Sequence, residues 1–198
     1  MLRGLLLCFL LLPGLVQATT IRAVDMDQLL KHSQLIFIGQ VRGREVLTDP
    51  SSERLFTRVH FAVQEVLKGA LTTPELTLDF LGGQQGDRVE QVAEMVYPYD
   101  QEVGVYFVEA PEQRLVNPFY GWTQGHFVSV QDADGINRIR TATGQWVTGL
   151  DFTSTVTASQ VSRDIAEGVQ VRAIGQSRPA MTLFDFKQAI QEYLEIRP

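Results

Sequence analysis

Alternation of apolar and polar residues along the stretch 55–69, LFTRVHFAVQEVLKG, is the clearest pattern in this chain. Val59, Phe61 and Val63 occupy every second position, and less apolar residues lie between them. Successive side chains of a strand point to opposite faces of the sheet, so this pattern indicates a β-strand with one buried face. Its length predicts one of the longest strands of the fold.

A second apolar stretch, LIFIGQVRGREV at residues 35–46, precedes it and is connected to it by the turn-rich sequence TDPSSE. Gly39 and Gly43 interrupt the apolar positions. A glycine inside a strand marks a bulge or a bend, as where a strand curls round a barrel. The two stretches therefore predict a long, bent antiparallel pair that begins a small closed barrel.

Shorter strand signals follow. The sequence ELTLDF alternates, VGVYFVEA is apolar on both faces as in a central strand, and apolar residues on either side of DADG predict a hairpin. Residues 88–102 have no sustained period and predict an irregular connection with one short edge strand. Residues 144–178 are rich in Thr, Ser, Gln and Gly, and predict a long polar loop region or a partly ordered excursion.

Both ends of this β region carry helix signals. Asp25 and Gln28 have the spacing of a capping box and predict a short N-terminal helix. Near the C-terminus, Thr182 and Asp185 repeat that spacing. The residues that follow place an apolar stripe on one face of an amphipathic helix, formed by Leu183, Phe186, Ile190 and Leu194.

The expected fold class is therefore mainly β, a small OB-like antiparallel barrel with a short N-terminal helix and a C-terminal amphipathic helix. The expected organisation is a signal peptide (1–18), the barrel domain (19–143), the polar loop region (144–178) and the C-terminal helix packed on the barrel (179–198).

The first residues have the three regions of a secretory signal peptide. Arg3 precedes an apolar run, and the sequence VQA at its end predicts cleavage near Ala18 and a secreted or periplasmic protein. The run is too short to cross a bilayer, which takes about 20 residues, so no transmembrane segment is expected. Cleavage would also remove Cys8, the only cysteine. A net charge of −6 argues against nucleic acid as a partner.

The combination of SQLIFIGQV, a turn and VHFAVQEVLKG resembles the opening of netrin-like and tissue-inhibitor-of-metalloproteinase domains. The resemblance covers about residues 33–130 and implies a five-stranded OB-type barrel. It does not extend to the inhibitory mechanism, because those inhibitors chelate the protease zinc with an N-terminal cysteine and here Thr19 would take that place. The chain is also similar to uncharacterised exported bacterial proteins with a GxxQGKFxV motif, which GWTQGHF resembles with His126 in place of lysine.

The sequence GWTQGH provides the candidate binding site. Two glycines bracket polar residues on a tight turn at a strand end, with a large aromatic side chain beside them, and loops on a rigid barrel often carry binding residues. The candidate residues are Gly121, Trp122, Thr123, Gln124, Gly125 and His126. They form a predicted binding rim, together with the glycine-rich loop 82–87.

Other polar motifs have simpler interpretations. His32, His60 and His126 could form a metal site, but they lie on separate elements without ligand spacing, so we interpret them as unrelated surface or rim residues. Residues 132–137 carry some oxygen ligands of a calcium loop, but the position of Gly135 favours a hairpin turn. We therefore expect no metal and no cofactor.

The function predicted from these features is an exported binding module that engages another protein, with a protease as one partner class. The sequence contains no motif of a known catalytic site, which favours a protein that is not an enzyme without deciding the question. Two alternatives remain. One is a small hydrolase with dispersed catalytic residues, for which His126 is the first candidate base; the other is a structural component of the cell envelope.

The signal-peptide interpretation gives a direct prediction. Mass spectrometry of the secreted or periplasmic protein should find its N-terminus within a residue or two of Thr19, because the small residues at the end of the apolar run fit a cleavage site. Exported protein that retains Met1 would contradict this interpretation.

Overall fold

A computed structural model of the chain describes residues 21–157, 159–173 and 177–197. The expected signal peptide and Cys8 lie outside the described residues, so export and cleavage near Ala18 stay predictions. Within the described part of the chain, no helix is both long and apolar enough to cross a membrane.

The described residues form two α-helices and ten strands, with one 3-10 turn at Trp122–Gly125. The helices are α1 (Met26–His32) and α2 (Leu183–Ile196). The strands are β1 (Leu35–Thr48), β2 (Leu55–Lys68), β3 (Glu75–Leu81), β4 (Gly83–Gln85), β5 (Arg88–Glu90), β6 (Val103–Val108), β7 (His126–Gln131), β8 (Asn137–Thr141), β9 (Val147–Leu150) and β10 (Val169–Val171).

The main sheet is antiparallel and has six strands in the order β3-β2-β1-β6-β7-β8. The register between β1 and β2 shifts on either side of the bend, between Ile38 and Gly39 and between Val41 and Gly43. The bulges expected at the two glycines are therefore present. The described strands form no closed barrel, so the mainly β class is confirmed and the OB-like barrel stays a prediction.

Strand β1 is buried on both faces along its first half. On one face, Ile36 and Ile38 join a core that includes residues of both helices. On the other face, Leu35, Phe37 and Val41 join a second core that is rich in aromatic side chains. The sheet therefore separates two cores, one beneath the helices and one on its opposite face, which Phe119 of the connection after β6 joins.

The helices begin as the capping signals predict. The Asp25 carboxylate accepts a hydrogen bond from the Gln28 backbone N–H (2.8 Å), and the Gln28 side chain accepts one from the Asp25 N–H (3.3 Å). At α2, Thr182 Oγ1 accepts a hydrogen bond from the Asp185 N–H (3.0 Å). These bonds satisfy N–H groups that a helix N-terminus leaves without partners.

The stretch 144–178 is more ordered than its composition indicates. It contributes β9 and β10, which pair with each other. It also buries Val147, Ala166 and Val169 in the core beneath the helices. The expectation of a polar loop was wrong for these parts because the few apolar residues are too far apart in the sequence to produce a period.

The buried face of α2 gives a stability prediction. Phe186 is fully buried and its ring centroid lies 4.9 Å from that of Phe127, whereas Phe184 on the same helix is 64% exposed. Phe186→Ala should lower the free energy of unfolding by about 3–5 kcal/mol, the range for truncating a core phenylalanine. The matched control Phe184→Ala should change it by less than about 0.5 kcal/mol. Urea denaturation measures both, and equal effects would contradict the described packing.

Candidate functional site

The expected binding rim, Gly121–His126, forms the 3-10 turn that precedes β7. Gly121 and Trp122 both have left-handed backbone conformations, with φ of 70° and 61°. This conformation is rare for a bulky residue such as tryptophan. It turns the chain so that the four residues after Trp122 enter the interior of the protein, and all four are buried.

The buried residues of this turn hold other segments in place. The Gln124 side chain accepts a hydrogen bond from the Val24 N–H (2.9 Å) and donates to the carbonyl oxygens of Arg22 (3.0 Å) and Gly121 (2.9 Å). Thr123 Oγ1 donates to the Asp164 carboxylate (3.3 Å). Their polar groups are therefore used inside the chain and do not form a binding surface.

The expectation of an exposed binding rim therefore needs correction. Thr123, Gln124, Gly125 and His126 are buried, and only Gly121 and Trp122 keep partial exposure. Amide and hydroxyl side chains between glycines are equally compatible with a solvent-exposed turn and with an internal one. The loop 82–87, expected to belong to the same rim, forms part of the β4–β5 hairpin.

His126 is not a rim residue; it belongs to a buried polar cluster with Glu102 and Tyr106. His126 Nε2 lies 2.6 Å from Glu102 Oε1, and the Tyr106 hydroxyl donates to the same oxygen (2.9 Å). Tyr106 and His126 are paired on neighbouring strands. Gly104 makes the cluster possible, because a Cβ there would lie 2.9 Å from Tyr106 Cζ, and its absence lets the ring lie along the strand toward Glu102.

A histidine bonded to a carboxylate could act as a base, but this pair is closed to a substrate. His126 and Glu102 are 1% and 2% exposed, and aromatic rings, including that of Phe119, surround the imidazole. Burial, with the nearby Glu102 carboxylate as a second cause, raises the pKa of Tyr106 well above its usual range. The cluster therefore pairs the Glu102 carboxylate with two buried partners, whereas His126 Nδ1 is buried without a hydrogen-bond partner among the described residues.

The other two histidines lie apart from His126. His32 is exposed, with its ring 5.3 Å from that of Tyr120. His60 is on β2, where its ring nitrogens lie 3.2 Å from Thr77 Oγ1 and 3.3 Å from the Glu45 carboxylate. The described residues contain no group of three or more His, Cys, Asp or Glu side chains that could hold a metal ion.

The outer edge of β3 is a different kind of site, formed by the backbone. Two hydrogen bonds at the ends of the β2–β3 pair show which β3 residues bond to β2: the Gly82 N–H donates to Leu55 O, and the Val63 N–H donates to Pro74 O (both 2.7 Å). In the β2–β3 register, the residues of β3 that bond to β2 are therefore the even-numbered ones. Backbone groups alternate in direction along an antiparallel pair. The N–H and C=O groups of Thr77 and Asp79 therefore point away from β2, toward the open edge.

The edge is partly occupied near its end. The Leu81 N–H donates to Val116 O (2.9 Å), and Leu81 O accepts from the Tyr97 hydroxyl (2.9 Å). Among the described residues, no group forms a hydrogen bond with the backbone N–H or C=O of Thr77 or Asp79 at this edge. The unpaired part of the edge thus adjoins a place where another segment already bonds to β3.

A groove of about 570 Å³ runs along this edge. One wall is formed by β2 and β3, and the other by the connection that follows β6. The lining residues are Arg58, His60, Thr77, Leu78, Asp79, Pro111, Glu112, Gln113, Arg114 and Pro118. We call this feature the β3 groove.

Two arginines share one carboxylate at the β3 groove. Arg58 Nε and Nη2 donate to the two oxygens of Asp79 (2.7 and 3.0 Å), and Arg114 Nη2 donates to Oδ2 (2.9 Å). The hydrogen bond from Arg58 is the main cause that lowers the pKa of Asp79 below its ordinary value of 3.8; burial opposes it and Arg114 adds to it. The hydroxyls of Ser52 and Ser51 lower the pKa of the neighbouring Asp49 to about 2.

Sequence reasoning identified β3 but not its edge. The alternation in ELTLDF assigns Thr77 and Asp79 to one face, and this much was predictable. That β3 ends the sheet depends on which strands pair with each other, which a local pattern does not contain. Comparison of the chain with protein-family models, curated proteins and solved structures gave no match.

The shared carboxylate predicts a pH-dependent contribution to stability. Because the pKa of Asp79 is lowered in the folded protein, its contribution is complete above the ordinary value of 3.8 and is lost as the pH falls through the lowered value. Asp79→Asn should therefore lower the free energy of unfolding by about 1–2 kcal/mol at pH 7. The difference from the unsubstituted protein should shrink as the pH falls below 3.8.

Urea unfolding over a pH series measures this difference. Asp100→Asn is the control, because the Asp100 carboxylate also pairs with an arginine, Arg44, but is 60% exposed. A difference for Asp79→Asn that does not change with pH would show that the carboxylate charge has no part in it.

Proposed function

We propose that this protein is an exported module that binds another protein by adding an extended segment of that partner to the outer edge of β3. The single observation that carries the proposal is the direction of the backbone groups of Thr77 and Asp79. An unpaired strand edge is a template for strand addition, in which main-chain hydrogen bonds provide affinity.

The spacing of these groups matches what an added strand needs. Residues two apart on an edge strand both present N–H and C=O to the same side, and an antiparallel or parallel partner can bond to both. The Leu81–Val116 hydrogen bond supports this interpretation, since it is a bond of the same kind made by the chain itself. An added segment would continue the pairing from Leu81 toward Thr77.

The β3 groove provides walls for such a segment. Alternate side chains of an extended peptide point to opposite sides, so one set would face Leu78 and Pro118 and the other would face Arg58 and Arg114. Arg114 is exposed and Arg58 and Pro111 are partly exposed, and these groups allow side-chain selectivity at a site whose affinity comes from the backbone. The resemblance to protease inhibitors keeps a protease among the partners to be tested.

The same groove supports the OB-like interpretation of the fold. Besides Leu81–Val116, the connection after β6 bonds back to that strand, from the Glu109 N–H to Pro118 O (2.9 Å) and from the Tyr120 N–H to Phe107 O (2.8 Å). Residues 116–120 thus bond at one end to β3 and at the other to β6. We infer an OB-like barrel in which the β3 groove is the unclosed part.

Replacing Thr77 by proline tests strand addition at the backbone. Its N–H points outward, and proline is tolerated on an edge strand where the N–H faces solvent. Thr77→Pro should therefore keep the fold and weaken peptide binding at least about tenfold, since it removes a donor and its ring obstructs the edge. Thr77→Val is the matched control, because it removes the hydroxyl that contacts His60 but keeps the N–H.

The binding probe is a peptide selected from a random twelve-residue library on the unsubstituted protein, and calorimetry gives its affinity for each variant. NMR should also show that the Thr77 and Asp79 amides exchange with solvent more slowly when the peptide is bound. Failure to select any peptide, or equal binding to the Thr77→Pro and Thr77→Val variants, would overturn the proposal.

A further inference from the structure

Arg114 lies on one wall of the β3 groove, and its side chain bonds to a carboxylate of the opposite wall and to one outside the groove. Its guanidinium donates to Asp79 on β3 (2.9 and 3.2 Å) and to Asp49 in the β1–β2 connection (3.1 Å). Its Cζ also lies 4.7 Å from the centroid of the Phe56 ring on β2. Arg114 therefore links the connection after β6 to β3, to β2 and to the β1–β2 connection.

Its position coincides with the proposed binding edge. One of the two carboxylates that Arg114 contacts belongs to Asp79, whose backbone groups point away from β2 toward the open edge. A strand that bonds to Asp79 must enter the space between β3 and the connection that carries Arg114. The side chain thus crosses the path of an incoming segment.

We propose that Arg114 is a reversible clasp that holds the β3 groove closed and that must release Asp79 and Asp49 before a partner strand can pair with β3. This inference rests on the proposed function, because it concerns regulation of the same edge. The clasp is closed in the structure, and its release frees the part of the edge at Thr77 and Asp79.

The local chemistry makes such a clasp reversible. Arg114 is 44% exposed, so its ion pairs are screened by water and salt and are individually weak. Asp79 does not depend on Arg114 for its position, because Arg58, its direct neighbour in the β2–β3 register, holds both carboxylate oxygens. Release of Arg114 therefore leaves β3 in place and moves only the connection.

The clasp can be tested without any ligand. The Leu81 N–H is bonded to Val116 O, in the connection that carries Arg114, so its hydrogen exchange reports movement of that connection away from β3. Arg114→Gln should accelerate Leu81 exchange by at least about threefold, within the range expected from loss of a surface ion-pair network. Raising the salt concentration should accelerate exchange in the unsubstituted protein more than in this variant.

Arg44→Gln is the matched control. Arg44 forms a comparable surface ion pair with Asp100 (3.0 Å), on a part of β1 that does not line the β3 groove. This variant should leave Leu81 exchange unchanged. An Arg114→Gln variant with unchanged Leu81 exchange would overturn the clasp.

Binding kinetics separate the clasp from the proposed function. With the selected peptide, Arg114→Gln should raise the association rate constant by at least about threefold, because the β3 groove of this variant is closed for a smaller fraction of the time. Arg44→Gln should leave the association rate constant unchanged. If Thr77→Pro abolishes binding but Arg114→Gln slows or does not change association, the clasp is wrong and strand addition stands. If Thr77→Pro does not change the peptide affinity, the proposed function itself is wrong. Hydrogen exchange of the Leu81 amide then still shows whether Arg114 holds the groove closed.

Discussion

The architecture depends on one constraint, which is that the first half of β1 must be covered on both faces. A strand in a small protein usually exposes one face, but here Ile36 and Ile38 face one core and Phe37 and Val41 face the other. The first core needs both helices and the β9–β10 pair as a cover. The second is formed by side chains of β1, β2, β3 and β6 together with Phe119, and the β1–β2 register shifts beside Gly39 and Gly43.

Those parts of the fold that local patterns determine were predictable from the sequence. The alternation in β2, the capping box of α1 and the stripe of α2 each reflect contacts between residues close in the chain. The ordered parts of 144–178 were not predictable, because Val147 and Val169 are buried by residues distant in the sequence. The candidate site was missed for the same reason, since an edge exists only once the order of the strands is known.

Two polar side chains in the interior have hydrogen-bond partners within the chain, whereas backbone groups at the unpaired part of the β3 edge have none among the described residues. Glu102 is bonded to both His126 and Tyr106, and Gln124 uses both ends of its amide to fasten the N-terminal segment. Such satisfied groups stabilise one conformation and offer nothing to a partner. The backbone of Thr77 and Asp79 is the reverse case, in which N–H and C=O groups that point away from β2 have no partner among the described residues. The polar side chains of the GWTQGH motif are used in the same way as the other interior groups, so this motif holds the fold together and does not form a binding surface.

An open strand edge has a consequence for the behaviour of the protein in concentrated solution. Two copies could pair edge to edge through β3, and such pairing is a common start of aggregation. Charged side chains along an edge oppose this pairing, because bringing two identical edges together would bury like charges against each other. Asp79, Arg58 and Arg114 lie where they would do so. The same residues would thus keep the molecules apart at high concentration, when many copies share a small volume.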